Sequence, residues 1–237
     1  MTTNTRQNPP AAVTSAAPAE DGPALRQAVI DTALAMNAAG INVNKSGNVS
    51  ARCRRGAQAG FVVTPTAVPY RSLGLDHLVF VSAAGTAAGR QLPSSEWRFH
   101  RDIYAARPEL MAIVHTHSPA ATAVACHGRG IPAFHYMVAM AGGADIRCAP
   151  YATFGSQELS DHAVQALVDR RACLLAHHGV IACADSLDAA LALAIEVEQL
   201  ARIYLAACAL GEPPRLDDAE MERVIARFAD YGPRAGH

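Results

Sequence analysis

Lysine is almost missing from this chain of 237 residues. Of its 20 basic residues, 19 are arginine and the exception is Lys45. Any mechanism built on a Schiff base would have to use that one amine. Reactive lysines are normally desolvated so that the amine is neutral. Lys45 instead sits in the polar turn Asn44-Lys45-Ser46-Gly47-Asn48. Covalent imine chemistry is disfavoured, and carbonyl activation must come from another source.

Other features are scarce too. The six cysteines form no C-x-x-C pair, so they read as small buried hydrophobes of a reducing cytoplasm, and a cytoplasmic location is expected. Formal charge is −1, and no basic stripe marks a nucleic-acid or membrane partner. No apolar run reaches membrane-spanning length. The first residues are rich in Ala, Pro, Thr and Asn, without an apolar segment and cleavage site. Residues 1–22 are therefore expected to be a disordered tail, and residues 23–237 a single domain. With 51% hydrophobic residues, the chain can bury a sizeable core.

The most informative stretch is Met111-Ala112-Ile113-Val114-His115-Thr116-His117-Ser118-Pro119. Its β-branched residues and Ser-Pro stop predict a strand, so His115 and His117 point to one side. Two adjacent imidazoles suit a divalent metal. They would equally be satisfied histidines at a strand end. A second pair, His177-His178, stands before Gly179 in a turn between two apolar strand runs. It could bring a third nitrogen from a distant strand, as a catalytic site with one open position requires.

The remaining pattern alternates strands and helices. Helices are predicted at 23–39, from Ser94 onward with Glu96 in the first turn, at 119–127, 156–170 and 187–210, and after Asp217. On the second of these, Trp97, His100 and Tyr104 share one face. Strands are predicted at 60–64, 77–82, 111–116, 146–150 and on both sides of His177-His178. The Ser-Gly-Asn of residues 46–48 reads as a turn between two strand runs, or as an anion-binding turn. Several strands adjoin through short turns. That favours a three-layer α/β sandwich with a central mainly antiparallel or mixed sheet over a doubly wound parallel one.

Taken in order, Ser-Gly-Asn-Val-Ser (46–50), Thr-Pro-Thr (64–66) with Pro69-Tyr70, Pro-Ser-Ser-Glu-Trp-Arg-Phe-His (93–100) and His-x-His (115–117) resemble the class II aldolase/adducin family. So do His135-Tyr136-Met137, Cys148-Ala149-Pro150-Tyr151-Ala152-Thr153-Phe154-Gly155 and His177-His178-Gly179. The resemblance runs from about Leu25 to Arg234. It implies a lyase in which a divalent cation replaces the lysine. Its substrate would be L-fuculose 1-phosphate or a close ketose 1-phosphate, cleaved to dihydroxyacetone phosphate and L-lactaldehyde through an enediolate. It also implies a homotetramer with active sites between subunits.

His115, His117 and His178 would hold zinc (Zn2+; Mn2+ or Co2+ also suit). Glu96 would be a fourth ligand and the acid/base. Ser46, Gly47, Asn48, Thr66, Ala67, Ser94 and Ser95 would bind phosphate, and Tyr136 of a neighbouring subunit would donate a proton to the aldehyde oxygen. Tyr231 and Arg234 fall where the family's tail closes over substrate. Two departures lie in the phosphate region: Lys45 or Ser46 stands where the family often has threonine, and Ala67 where it usually has glycine. A positive φ at Ala67 would strain its methyl group. The alternatives within the family are a pentulose-phosphate 4-epimerase, whose branch typically carries aspartate at the Glu96 position, or an aldolase for an unphosphorylated donor. A non-catalytic adducin-like module would lack the ligands this chain retains.

Overall fold

The computed structural model describes residues 18–229. Among the described residues, nine strands form one sheet in the order β5-β4-β3-β2-β6-β9-β8-β7, with β1 beside β2. They are β1 (Ala19–Glu20), β2 (Asn48–Arg55), β3 (Gln58–Val63), β4 (Val79–Ser82), β5 (Ala87–Ala88), β6 (Ala112–Thr116), β7 (Arg147–Ala149), β8 (Ala172–Leu175) and β9 (Gly179–Ala184). Among the described residues, only β1–β2 and β7–β8 pair in parallel. The sheet is thus mixed and mainly antiparallel, as the short turns predict.

Strand alternation separates two cores. On one face Val49, Ala51, Ala112, Val114 and Val180 pack against helices α1 (Pro23–Ala38), α3 (Pro119–Ala125) and α5 (Leu187–Cys208). On the other, Phe61, Val63, Ile113 and Ile181 pack against α2 (Trp97–Ala106) and α4 (Gln157–Ala166). Helix α6 (Asp218–Ala229) contributes Met221, Val224 and Ile225 to the first core. This is the expected three-layer α/β sandwich.

Local chemistry sets the ends. Pro23 occupies the first turn of α1, and Gly40 follows its end at φ 71°, the left-handed stop that favours glycine. Ser156 and Ser186 accept from Leu159 N–H and Ala189 N–H to cap α4 and α5.

Three expectations need correction. Regular structure is present before residue 23, because Ala19–Glu20 pair with Cys53–Arg54 and the Asp21 carboxylate binds Arg26 and Arg55, each at 2.6 Å. Among the described residues, no strand leads directly into the 46–48 turn, which follows α1. Ser46 Oγ donates to Asn42 Oδ1 and Val43 O, Asn37 donates to Asn44 O, and Asn44 is left-handed at φ 58°. These side-chain bonds hold 41–47 as a loop. Helix α2 starts at Trp97, with Glu96 at its N-cap position. Ser94 N donates to Thr64 O, and Pro93 bridges to Pro65, so residues 93–94 stay extended. Tyr231 and Arg234 lie outside the described residues.

Candidate metal centre and active site

Strand β6 lies between β2 and β9. His115 is its penultimate residue and projects with Ile113 toward the α2/α4 layer. His117 follows just beyond the strand. His178 arrives at the head of β9, which pairs antiparallel with β6. A Cβ at Gly179 would stand 2.3 Å from Thr116 O and 3.0 Å from His117 Cδ2. Only glycine lets the β9 turn press this closely on the His-x-His segment. His177 is left-handed at φ 56° and exposed, with its ring edge-on to Tyr151. That turn sends the second histidine of the pair inward.

The three rings meet pairwise at 4.9 Å between centroids. His115 Nε2 lies 3.1 Å from His117 Nε2 and 3.2 Å from Glu96 Oε2, and His178 Nε2 lies 3.2 Å from Glu96 Oε1. One ligand atom from each of Glu96, His115, His117 and His178 falls within 4.8 Å of all the others. Tetrahedral zinc with bonds of about 2.0–2.1 Å holds its donors roughly 3.3 Å apart. The donor set and its spacing fit such an ion. His115 Nδ1 donates to Val180 O at 2.8 Å, which leaves the Nε2 lone pair for the metal.

The electrostatics agree. Burial pushes His117 down to about 3, with His115 and His178 adding to the effect, so its imidazole is neutral and able to ligate. Burial would raise the Glu96 carboxyl, but the nearby His115 and His178 rings outweigh it and hold the group well below the usual carboxylate range. Asn48 Nδ2 donates to Glu96 Oε2 at 2.9 Å.

A cavity of about 270 Å³ opens on this cluster, with Glu96, His117 and His178 in its wall. Ser46 and Ser95 line it as well, as do the aromatic residues Tyr151 and Phe154. Gly47 and Ser94 stand outside that wall, next in sequence to Ser46 and Ser95, and the Thr66–Ala67 segment contributes no residue to it. Lys45 Nζ donates to Ala67 O at 2.9 Å, Tyr70 donates its hydroxyl to Gly47 O, and Ser94 N donates to Thr64 O. A Cβ at Gly47 would lie 2.3 Å from His115 O, so this glycine seats the loop against β6. Ala67 is left-handed at φ 61°, the strained conformation anticipated for a residue in a glycine's place. Both ends of the Asn48 amide are engaged, by Glu96 and by His100.

Tyr136 is half exposed, opens a 3-10 turn over Tyr136–Ala141, and stacks beside His135. It is absent from the wall of its own chain's cavity. Sequence reasoning did not single out Tyr151 and Phe154 as wall residues, nor the buried chain Ser50–His100–Tyr104. For the latter, the available signal was Glu96, His100 and Tyr104 at intervals of four, facing alternate polar residues on β2.

One glutamate and three histidines, two of the four buried, form on this mixed α/β sandwich a cluster able to hold a divalent metal. The family described as Class II Aldolase and Adducin N-terminal domain matches residues 27–205, and the chain belongs to it. It is a carbon–carbon lyase of the class II aldolase type. The chain is 50% identical over 212 residues to a 5-methylthioribulose-1-phosphate/5-deoxyribulose-1-phosphate aldolase of Rhodospirillum rubrum, covering 90% of this chain and 94% of the relative. It is 49% identical over 211 residues to the L-fuculose phosphate aldolase of Escherichia coli K12, covering 89% and 96%. A solved L-fuculose 1-phosphate aldolase superposes with a TM-score of 0.84 at 36% identity, covering 88% of this chain and 97% of that one.

Proposed function

We propose that this protein is a zinc-dependent aldolase that cleaves a ketose 1-phosphate between C3 and C4, yielding dihydroxyacetone phosphate and a short aldehyde. L-Fuculose 1-phosphate, giving L-lactaldehyde, is the first candidate. The observation that carries this reading is the Glu96–His115–His117–His178 cluster beside Ser46 and Ser95 in one cavity.

The ion, held by His115, His117 and His178, would supply Lewis-acid stabilisation of the negative charge left on the donor fragment. Mn2+ or Co2+ would serve the same donor set. Glu96 handles the carbon-bound proton: it removes the proton in the synthetic direction and returns it in cleavage. Its contacts with His115 and His178 keep it ionised. Ser46, Gly47, Thr66, Ala67, Ser94 and Ser95 hold the phosphate through hydroxyls and backbone N–H groups. Asn48 belongs to the same turn, with its side chain turned to Glu96. Tyr136 acts from a neighbouring subunit of a homotetramer, donating to the aldehyde oxygen in synthesis and taking that proton in cleavage. Tyr231 and Arg234 complete the closure over substrate.

A second substrate is favoured by Tyr151 and Phe154, which are 60% and 65% exposed beside the cavity. They offer apolar surface to the aldehyde end, suiting the methylthio or methyl group of a 5-methylthio- or 5-deoxyribulose 1-phosphate. The test is a screen of the purified protein against these three ketose 1-phosphates and L-ribulose 5-phosphate, with and without chelator. Chelator-sensitive release of dihydroxyacetone phosphate supports the reading. Xylulose 5-phosphate as the only product would replace it with epimerisation.

A further inference from the structure

A row of buried polar side chains leads to Glu96, and neither metal binding nor phosphate binding uses it. Tyr104 Oη lies 2.9 Å from Ser50 Oγ, which lies 2.7 Å from His100 Nδ1. His100 Nε2 lies 2.5 Å from Asn48 Oδ1, and Asn48 Nδ2 lies 2.9 Å from Glu96 Oε2. None of Asn48, Ser50, His100 and Tyr104 is more than 5% exposed. Two elements build the row. Glu96, His100 and Tyr104 recur every four residues along the first two turns of α2, which places them on one face. Asn48 and Ser50 alternate on β2, opposite the side that Val49 and Ala51 give to the other core.

The proton directions follow from the Glu96 end. A carboxylate only accepts, so the Asn48 amide must present its NH2 to Glu96. Its Oδ1 then faces His100 and can only accept, so His100 carries its hydrogen on Nε2. Burial pushes this imidazole down to about 3. It is therefore neutral and has one N–H. Nδ1 is left as an acceptor for the Ser50 hydroxyl. Tyr104 Oη also lies 3.1 Å from Ser50 O, so the far end of the row is anchored on backbone.

A glutamate needs such support. The last torsion of its side chain is broad and poorly set by rotamer preference, while proton transfer to carbon depends on where the carboxylate oxygens point.

We propose that His100 is a positioning residue: acting through Asn48, it sets the orientation of the Glu96 carboxylate for proton transfer. This rests on the reading of Glu96 as the acid/base. Without a donor at His100, the Asn48 amide is free to rotate, and Glu96 loses its only hydrogen bond from outside the histidine cluster among the described residues.

The first test does not involve activity. Nitrogen-15 NMR of the zinc-loaded protein at neutral pH is expected to report the Nε2–H tautomer for His100, and the Nδ1–H tautomer would overturn the proposal. The second test compares His100→Leu with His100→Gln, whose amide can still donate to Asn48. His100→Leu is expected to slow exchange of the donor's carbon-bound proton about 100-fold, with KM and zinc content within about twofold of the parent. His100→Gln is expected to recover to within about tenfold. Full exchange in His100→Leu would overturn the proposal. So would parallel loss of zinc and exchange in both variants, which would mark a merely structural residue. If His100→Leu does not fold, the tautomer and the Gln variant decide. A parent protein that processes no ketose 1-phosphate but shows the Nε2–H tautomer would sink the functional reading and leave the hydrogen-bond assignment standing.

Discussion

His115 Nε2 and His117 Nε2 face each other at 3.1 Å. Since His115 already spends its Nδ1 hydrogen on Val180 O, its Nε2 presents a lone pair that a cation, or an N–H of His117, must satisfy. His115→Ala should therefore lose metal and activity together, as read by metal analysis and aldol cleavage. Chelation of the parent should lower its unfolding temperature, because an ion present at about 1,000 times its dissociation constant adds about 4 kcal/mol. An unchanged unfolding temperature after complete metal removal would contradict a site within the folded core.

Glu96→Gln keeps the shape of the side chain and its contact with Asn48 but cannot take a proton. Carbon–proton exchange should fall by about a hundredfold or more while the circular dichroism spectrum is retained. Normal exchange would refute its role as base.

Ala67 holds φ 61°, a region that costs an ordinary L-residue about 1–2 kcal/mol. Ala67→Gly removes that cost but gives the unfolded chain more freedom, worth about 0.4–1 kcal/mol. The net expectation is a gain of about 0.5 kcal/mol in a urea titration. A loss of stability would mean that the methyl group has a packing role that offsets the strain.

Glu198 is 2% exposed, on α5. It accepts from the N–H groups of Ala120 and Ala121, each at 3.0 Å, and from Arg202 at 2.9 Å. Those N–H groups open α3 just after His117, so a distant helix fixes the turn that follows one of the clustered histidines. Glu198→Ala leaves buried donors without partners and should cost about 2–4 kcal/mol in denaturant midpoint analysis. A cost under about 0.5 kcal/mol would indicate that water replaces the carboxylate.

Acid should destabilise the metal-free protein. His100 is held near 3 against an ordinary value of 6.5. Between those values the unfolded chain binds a proton that the folded chain refuses. Stability is therefore intact above about pH 6.5 and declines as the pH falls toward 3, by on the order of a few kcal/mol from this group. His117 acts in the same direction. Urea midpoints at pH 7, 5 and 4 read the decline, and His100→Gln should flatten it.

The convergence of His115 and His117 was legible because strand alternation alone aims them together. The third histidine of the cluster was less so. Periodicity cannot choose between His177 and His178. The resemblance to the family indicated the second, and the left-handed backbone of His177 explains it. The displacement of the α2 start escaped the sequence because Ser94 carries every mark of an N-cap, while its N–H is tied to Thr64, far back along the chain. A similar separation hid the Tyr104–Ser50–His100–Asn48 row. Its members are ordinary polar residues until β2 is laid against α2. The pairing of Lys45 with Ala67 likewise joins two loops whose proximity no local pattern encodes.

Tyr136 is half exposed, its ring stacks on His135 and on Phe228, and it does not line the cavity that Glu96 shares. If a neighbour's cavity receives that phenol, each catalytic unit is assembled from two polypeptides. Two crippled variants, one lacking the carboxylate and one lacking the phenol, would then restore each other when unfolded and reassembled as hybrids, since some mixed junctions would inherit both intact groups. Genetic complementation between two alleles of a single gene would follow from nothing more than where one ring lies.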